Sequence, residues 1–181
     1  MSSSVNDVAE DLGGLLGETV PGLEAIDEEG SLQTRGPGTW SRKQILGHLV
    51  DSALNNVQRF VRAQQAADLF MLDYDQPGWV AASGYQQRPW TDIIALWAVL
   101  NVHLIHVIAR IPPAALKTPC RIGDSAPMTL EFVVRDYVRH LRHHLQQIQD
   151  PEASRGRTHP PFKKGTGPCR SRRRSWYRSS S

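Results

Sequence analysis

The sequence predicts an all-α protein, a four-helix bundle. Four separate stretches repeat their apolar residues with the 3.6-residue period of an amphipathic helix, and no stretch alternates as a half-buried strand would. Between them lie connections crowded with Gly, Pro and Ser. Helices of this kind bury their apolar stripes most simply against one another.

The first helix is expected from about Val5 to Ile26, with Val5, Val8, Leu12, Leu15, Leu16 and Leu23 on one side. Gly13, Gly14 and Gly17 weaken it, and Pro21 should break or kink it. The second starts at a capping box, Ser41 with Gln44 three residues on, and carries Ile45, Leu46, Leu49, Val50, Ala53, Val57, Phe60 and Val61 towards Asp68. The stretch "FMLDYDQPGWVAASGYQQRP" reads as a long connection, a length that usually signals function. The third helix begins near Pro89–Asp92, with Thr91 or Asp92 as cap, and "IPP" ends it. The fourth opens at Met128–Leu130 and runs to about Gln149. The long second and third connections permit helices adjacent in sequence to sit apart in space.

The 181 residues suit one domain with a real core, at 40% hydrophobic and 22% charged. The net charge of +3 misleads, because it is unevenly spread. Residues 151–181 hold nine of the 21 Lys/Arg and one of the 18 acids, Glu152, so residues 1–150 are net acidic. Two domains of behaviour follow: a folded 1–150 and a disordered basic tail at 151–181. "CRSRRRSWYRSSS" is so unlike the body that it also reads as an out-of-frame extension. Nucleic-acid binding would rest on that tail alone and is not expected. No apolar run reaches the roughly 20 residues of a membrane span, and "MSSSVNDVAEDLGG" is no secretory signal, so the expectation is a cytoplasmic protein away from membranes. Cys120 and Cys169 are too far apart for a CxxC zinc site, which leaves His, Asp or Glu to hold any metal.

"RHLRHHL" (139–145) raises that question. Residues four apart on a helix differ by about 40° in direction, so His140 and His144 share a face, in the apolar stripe with Leu130, Val133, Tyr137 and Ile148. His143 falls at the polar margin with Asp136 and Arg139. An inward His pair at this spacing can grip one ion, and His48 in the second helix offers a third ligand. Asp51 could orient an imidazole from behind it, and Ser52, Asn55 and Arg59 form a narrow polar stripe nearby. Spacing alone leaves the other reading open, in which the histidines are packing residues and the stripe is a solvated face. His103, His106 and His159 read as surface residues.

"WSRKQILGHLVDSALNNVQRFVRA" (40–63), followed by a Trp-headed third helix and "RDYVRHLRHHLQQI" (135–148), resembles the DinB/YfiT-like family, named for a DNA-damage-inducible protein and so associated with stress response. The resemblance covers most of 1–149. It implies a four-helix bundle with up-down-down-up connectivity and a divalent ion, commonly nickel or zinc, held by His48, His140 and His144. It further implies metal-dependent hydrolysis or S-transfer with a low-molecular-weight thiol such as bacillithiol or mycothiol, on a small-molecule substrate. Asp51, Asn55 and Arg59 would then line the approach, and Tyr74, Trp79 and Tyr85 would roof it. The rival expectation is a non-enzymatic bundle, metal-stabilised, serving as a binding protein. Homodimerisation is a further expectation.

Overall fold

Residues 5–149 are described by the structure, a computed structural model, and are organised by four long helices. The basic tail expected at 151–181 lies outside the described residues. The long helices are α1 (Val5–Glu24), α3 (Arg42–Ala63), α5 (Trp90–Ile108) and α6 (Leu130–Gln149), with two short ones, α2 (Glu28–Ser31) and α4 (Gln76–Ser83), between them. Both α1 and α3 pack on α5 and α6, so α1 lies across the bundle from α3 and α5 from α6, while α3 and α5, consecutive in sequence, pack directly together. The core fills the centre with residues such as Leu12, Leu23, Leu46, Leu49, Phe60, Trp97, Leu104 and Leu141.

The strictly all-α expectation is corrected by a small sheet. Strands β1 (Leu69–Met71), β2 (Pro119–Ile122) and β3 (Met128–Thr129) form it in the order β1-β2-β3. β1 runs parallel to β2 with Leu69 opposite Cys120, and β3 runs antiparallel to β2. Strands of two to four residues are too short for an alternating pattern to register. The long connection is likewise more ordered than expected. Pro77 starts α4, Gly84 ends it in a left-handed conformation at φ +65°, and a 3-10 turn over Tyr85–Gln87 follows.

Helix ends show which local signals prevailed. Ser41 and Gln44 form both bonds of the capping box expected of them. α3 stops at Ala63 rather than near Asp68, since Gln65 to Asp68 are all exposed and give a helix nothing to pack. α1 passes through Pro21, held by buried Thr19 and Leu23 on either side of it. At α5 neither Thr91 nor Asp92 caps. Pro89 is the N-cap, and the Trp90 N–H donates to the Glu28 carboxylate at 2.8 Å. The same carboxylate pairs with the buried Lys43, which keeps that ammonium from standing uncompensated in the interior.

Among the described residues one helix, α5, is long and apolar enough to cross a membrane, with a mean hydropathy of 1.7 over its best stretch. That corrects the expectation that no segment qualifies. Polar residues such as Asn101 and His106 interrupt the run without lowering its average much. In the fold, α5 buries Trp97, Leu104 and Ile108 in the bundle core and leaves Val99 and Val102 exposed.

Candidate metal centre

The site begins with a close approach. Gly47 in α3 lies directly under the Tyr85 ring, where a Cβ would stand 2.2 Å from a ring carbon. This lets the 3-10 turn seat on α3 beside His48. Trp40 packs against the His48 ring, with ring centroids 5.2 Å apart. His48 is thereby fully buried.

α6 presents its histidines to it. Arg42 Nε donates to the Ile148 carbonyl at 3.0 Å, which ties the start of α3 to the end of α6 and sets the two helices in register. His48 Nε2 and His140 Nε2 are 3.0 Å apart, and the His144 ring lies edge-on to both, 4.9 Å from His48 and 4.5 Å from His140 between centroids. One ring nitrogen from each of the three lies within 4.8 Å of the others. His143 is exposed and outside the cluster, as its place on the helix predicts.

Burial holds all three imidazoles neutral. Desolvation lowers His48 to about 3, His140 to about 4 and His144 to about 2. Their neighbouring rings press His48 and His144 further in the same direction. Three neutral imidazoles therefore gather with one ring nitrogen each within 4.8 Å of the others, and a divalent ion of intermediate softness such as Zn²⁺ or Ni²⁺ suits such donors. His144 Nδ1 is 3.0 Å from Gln147 Oε1, so it carries the proton and leaves Nε2 free. Gln147 Nε2 in turn meets His143 Nε2 at 2.8 Å. The donor set and its tautomers fit a divalent ion.

The other candidates take different positions. Asp51 is buried, but one of its oxygens accepts the Tyr85 hydroxyl at 2.7 Å and the other has no partner. His48 Nδ1 also lacks a partner, so Asp51 does not orient it. Burial raises the Asp51 carboxyl, and the Tyr85 hydroxyl offsets part of that rise. Asn55 turns back on its own helix, with Nδ2 donating to the Asp51 carbonyl at 2.8 Å, and does not line the approach. Arg59 does. It shares a cavity of about 300 Å³ with Ser52, Asn56, Tyr74, Tyr137 and His140. Of the aromatics expected to roof it, Tyr74 lines the wall, Trp79 packs on Tyr74 at 5.0 Å, and Tyr85 is spent on Gly47 and Asp51. Ser52 stood in the predicted polar stripe, but Asn56, Gln147 and Gly47 escaped the sequence reading. Their only signals were a second amide beside Asn55 and the three- and four-residue spacing of Gln147 from His144 and His143.

Fold and site together define a helical bundle with an internal three-histidine cluster able to hold a metal. The chain belongs to the DinB superfamily, whose sequence profile matches residues 16–148. It is 23% identical over 125 residues to a protein of Halalkalibacterium halodurans named "Putative metal-dependent hydrolase", covering 69% of this chain and 72% of that one. A protein of the same name from Oceanobacillus iheyensis is 24% identical over 144 residues, 80% of this chain and 81% of the relative. Among solved structures, YfiT from Bacillus subtilis superposes with a TM-score of 0.71 at 21% identity, covering 85% of this chain and 87% of YfiT. It is described as "a probable metal-dependent hydrolase with an unusual four-helix bundle topology".

Proposed function

We propose that this protein is a metal-dependent enzyme that acts on small electrophilic molecules, by hydrolysis or by transfer to a low-molecular-weight thiol. The observation that carries the reading is the convergence of three neutral imidazoles at a cavity that His140 itself lines. In this reading His48, His140 and His144 hold a divalent ion, zinc or nickel. Such an ion supplies Lewis-acid chemistry, polarising an electrophile and acidifying a water or thiol. The chain's own residues do the rest. Their low proton affinity keeps the three imidazoles available as donors at neutral pH, Gln147 fixes the His144 ring, and the Trp40 ring packs against His48. Ser52 and Asn56 place polar groups on the α3 wall of the cavity, where a substrate would lie.

The cavity favours an enzyme over a bundle whose metal is merely structural, because a structural centre needs no room beside its ligands. Hydrolysis is the activity in the names of the two curated relatives, and it leads the reading for that reason. The end-to-end contacts Arg42 with Ile148, Trp90 Nε1 with the Leu23 carbonyl, Trp90 N–H with Glu28 and Lys43 with the same Glu28 support up-down-down-up connectivity for α1, α3, α5 and α6. A soluble, cytoplasmic protein is part of the same proposal, with α5 serving as a core helix.

Metal analysis of the purified protein tests the centre, followed by screens against activated esters and against electrophiles with several small thiols. About one divalent ion per chain is expected, with His48→Ala, His140→Ala and His144→Ala each sharply weakening its retention. A variant of any of the three that still holds stoichiometric metal would remove that residue from the ligand set.

A further inference from the structure

Arg59 is a largely buried cation, and its Nε has no hydrogen-bond partner among the described residues. Its side chain is 12% exposed, and among the described residues no acceptor lies within hydrogen-bond distance of it. Nε is buried without a partner. The nearest carboxylate oxygen, Asp73 Oδ1, stands 3.7 Å from Nη2 and already accepts the Tyr74 N–H at 2.9 Å. Asp136, the other carboxylate on the cavity wall, pairs with Arg139. A largely buried guanidinium with an unpartnered Nε and only a long ion pair has donors left over for a ligand to complete.

We propose that Arg59 is the anchor of a carboxylate subsite, so that the cavity takes small molecules with a singly charged carboxylate head and an apolar body. The planar fork of a guanidinium matches a carboxylate with two parallel bonds, which a lysine cannot reproduce. Met128, Phe132, Val133 and Ile122 form the apolar wall for the body of the ligand. Asp73 and Asp136 in the same cavity work against a doubly charged phosphate and leave a single charge tolerable. At about 300 Å³ the cavity sits at the small end of ligand pockets, which sets the size of the guest. His140 lines the same space, so a ligand anchored on Arg59 extends its body towards the histidine cluster. That last step rests on the proposed metal centre; the carboxylate subsite does not.

The experiment uses 4-phenylbutyrate, its neutral amide and phenyl phosphate, titrated calorimetrically into full-length protein stripped of metal, so that the carboxylate has no ion to bind. The acid should bind at least about tenfold more tightly than the amide, the increment expected of one charge-assisted bidentate contact. Arg59→Gln should abolish that preference and Arg59→Lys should keep part of it. Phe132→Ala should weaken acid and amide alike. Equal affinity for acid and amide in the wild type, or no binding of either, overturns the subsite without need of any variant. Tighter binding of phenyl phosphate than of the acid overturns the assignment to a single charge. Metal content of wild type and Arg59→Gln as purified, measured before stripping, distinguishes the two ideas: a protein that purifies without a divalent ion and does not take one up, yet prefers the acid, keeps the subsite and removes the metal centre.

Discussion

At the scale of single residues, the histidine cluster depends on one amide. Gln147 Oε1 accepts the Nδ1 proton of His144 and so presents Nε2 towards His48 and His140. Partners behind a metal-bound imidazole commonly change metal affinity by about 10–100-fold. Gln147→Leu should therefore weaken metal binding within that range, and Gln147→Glu, a stronger acceptor, should restore or exceed the wild-type affinity. Competition with a chromophoric chelator reads both; a leucine variant with unchanged affinity would reduce the contact to an accident of packing. The three histidines were legible in the sequence because the helical period puts His140 and His144 on the apolar stripe and His48 at the edge of the α3 arc, on the polar stripe with Ser52, Asn55 and Arg59. Gln147 was not, since an exposed-looking glutamine near a helix end carries no signal until its neighbours' ring orientations are known.

Elements explain what the periodicity could and could not reveal. α1, α3, α5 and α6 each span five turns or more, long enough for an apolar stripe to stand out, and each lies close to where the pattern puts it. β1 to β3 and α4 are short, and their residues order by meeting one another across the chain: Leu69 beside Cys120, and Gly123 N–H on the Met71 carbonyl at 2.8 Å. The same holds for the start of α5, whose first N–H is satisfied by Glu28, 62 residues earlier. The 3-10 turn at Tyr85 depends equally on a distant glycine. Gly47→Ala would drive a methyl into the Tyr85 ring, and the turn would have to lift away from α3. Helix propensity favours alanine, yet overpacking of this kind costs about 1–3 kcal/mol, so the variant should be destabilised. The urea midpoint should fall with an unchanged slope; a rise in midpoint would show that the turn yields freely.

For the whole molecule, gathering three neutral imidazoles in one interior makes stability depend on pH before any metal binds. In the unfolded chain each histidine takes up a proton below about pH 6.5. In the fold His140 resists to about 4, His48 to about 3 and His144 to about 2. The folded values are depressed, so the unfolded state binds more protons through this window. Stability is then fully present above pH 6.5 and is lost as the pH falls towards 4. Asp51 works in the opposite sense, since burial raises its carboxyl, but it is one group against three. Glu28, held low by Lys43 and the Trp90 N–H, adds to the loss only below its ordinary range. Between pH 6.5 and 5 a single imidazole kept neutral corresponds to about 2 kcal/mol. The metal-free protein should therefore lose at least about that much unfolding free energy over the interval, and His140→Leu should lose less. Denaturation curves recorded with a chelator present would reveal this, and a flat profile from pH 6.5 to 5 would mean that the three rings are not buried together. A bundle that stays folded at neutral pH with this cluster inside carries its binding chemistry preformed, and the cost of holding the rings neutral falls on the acid side alone.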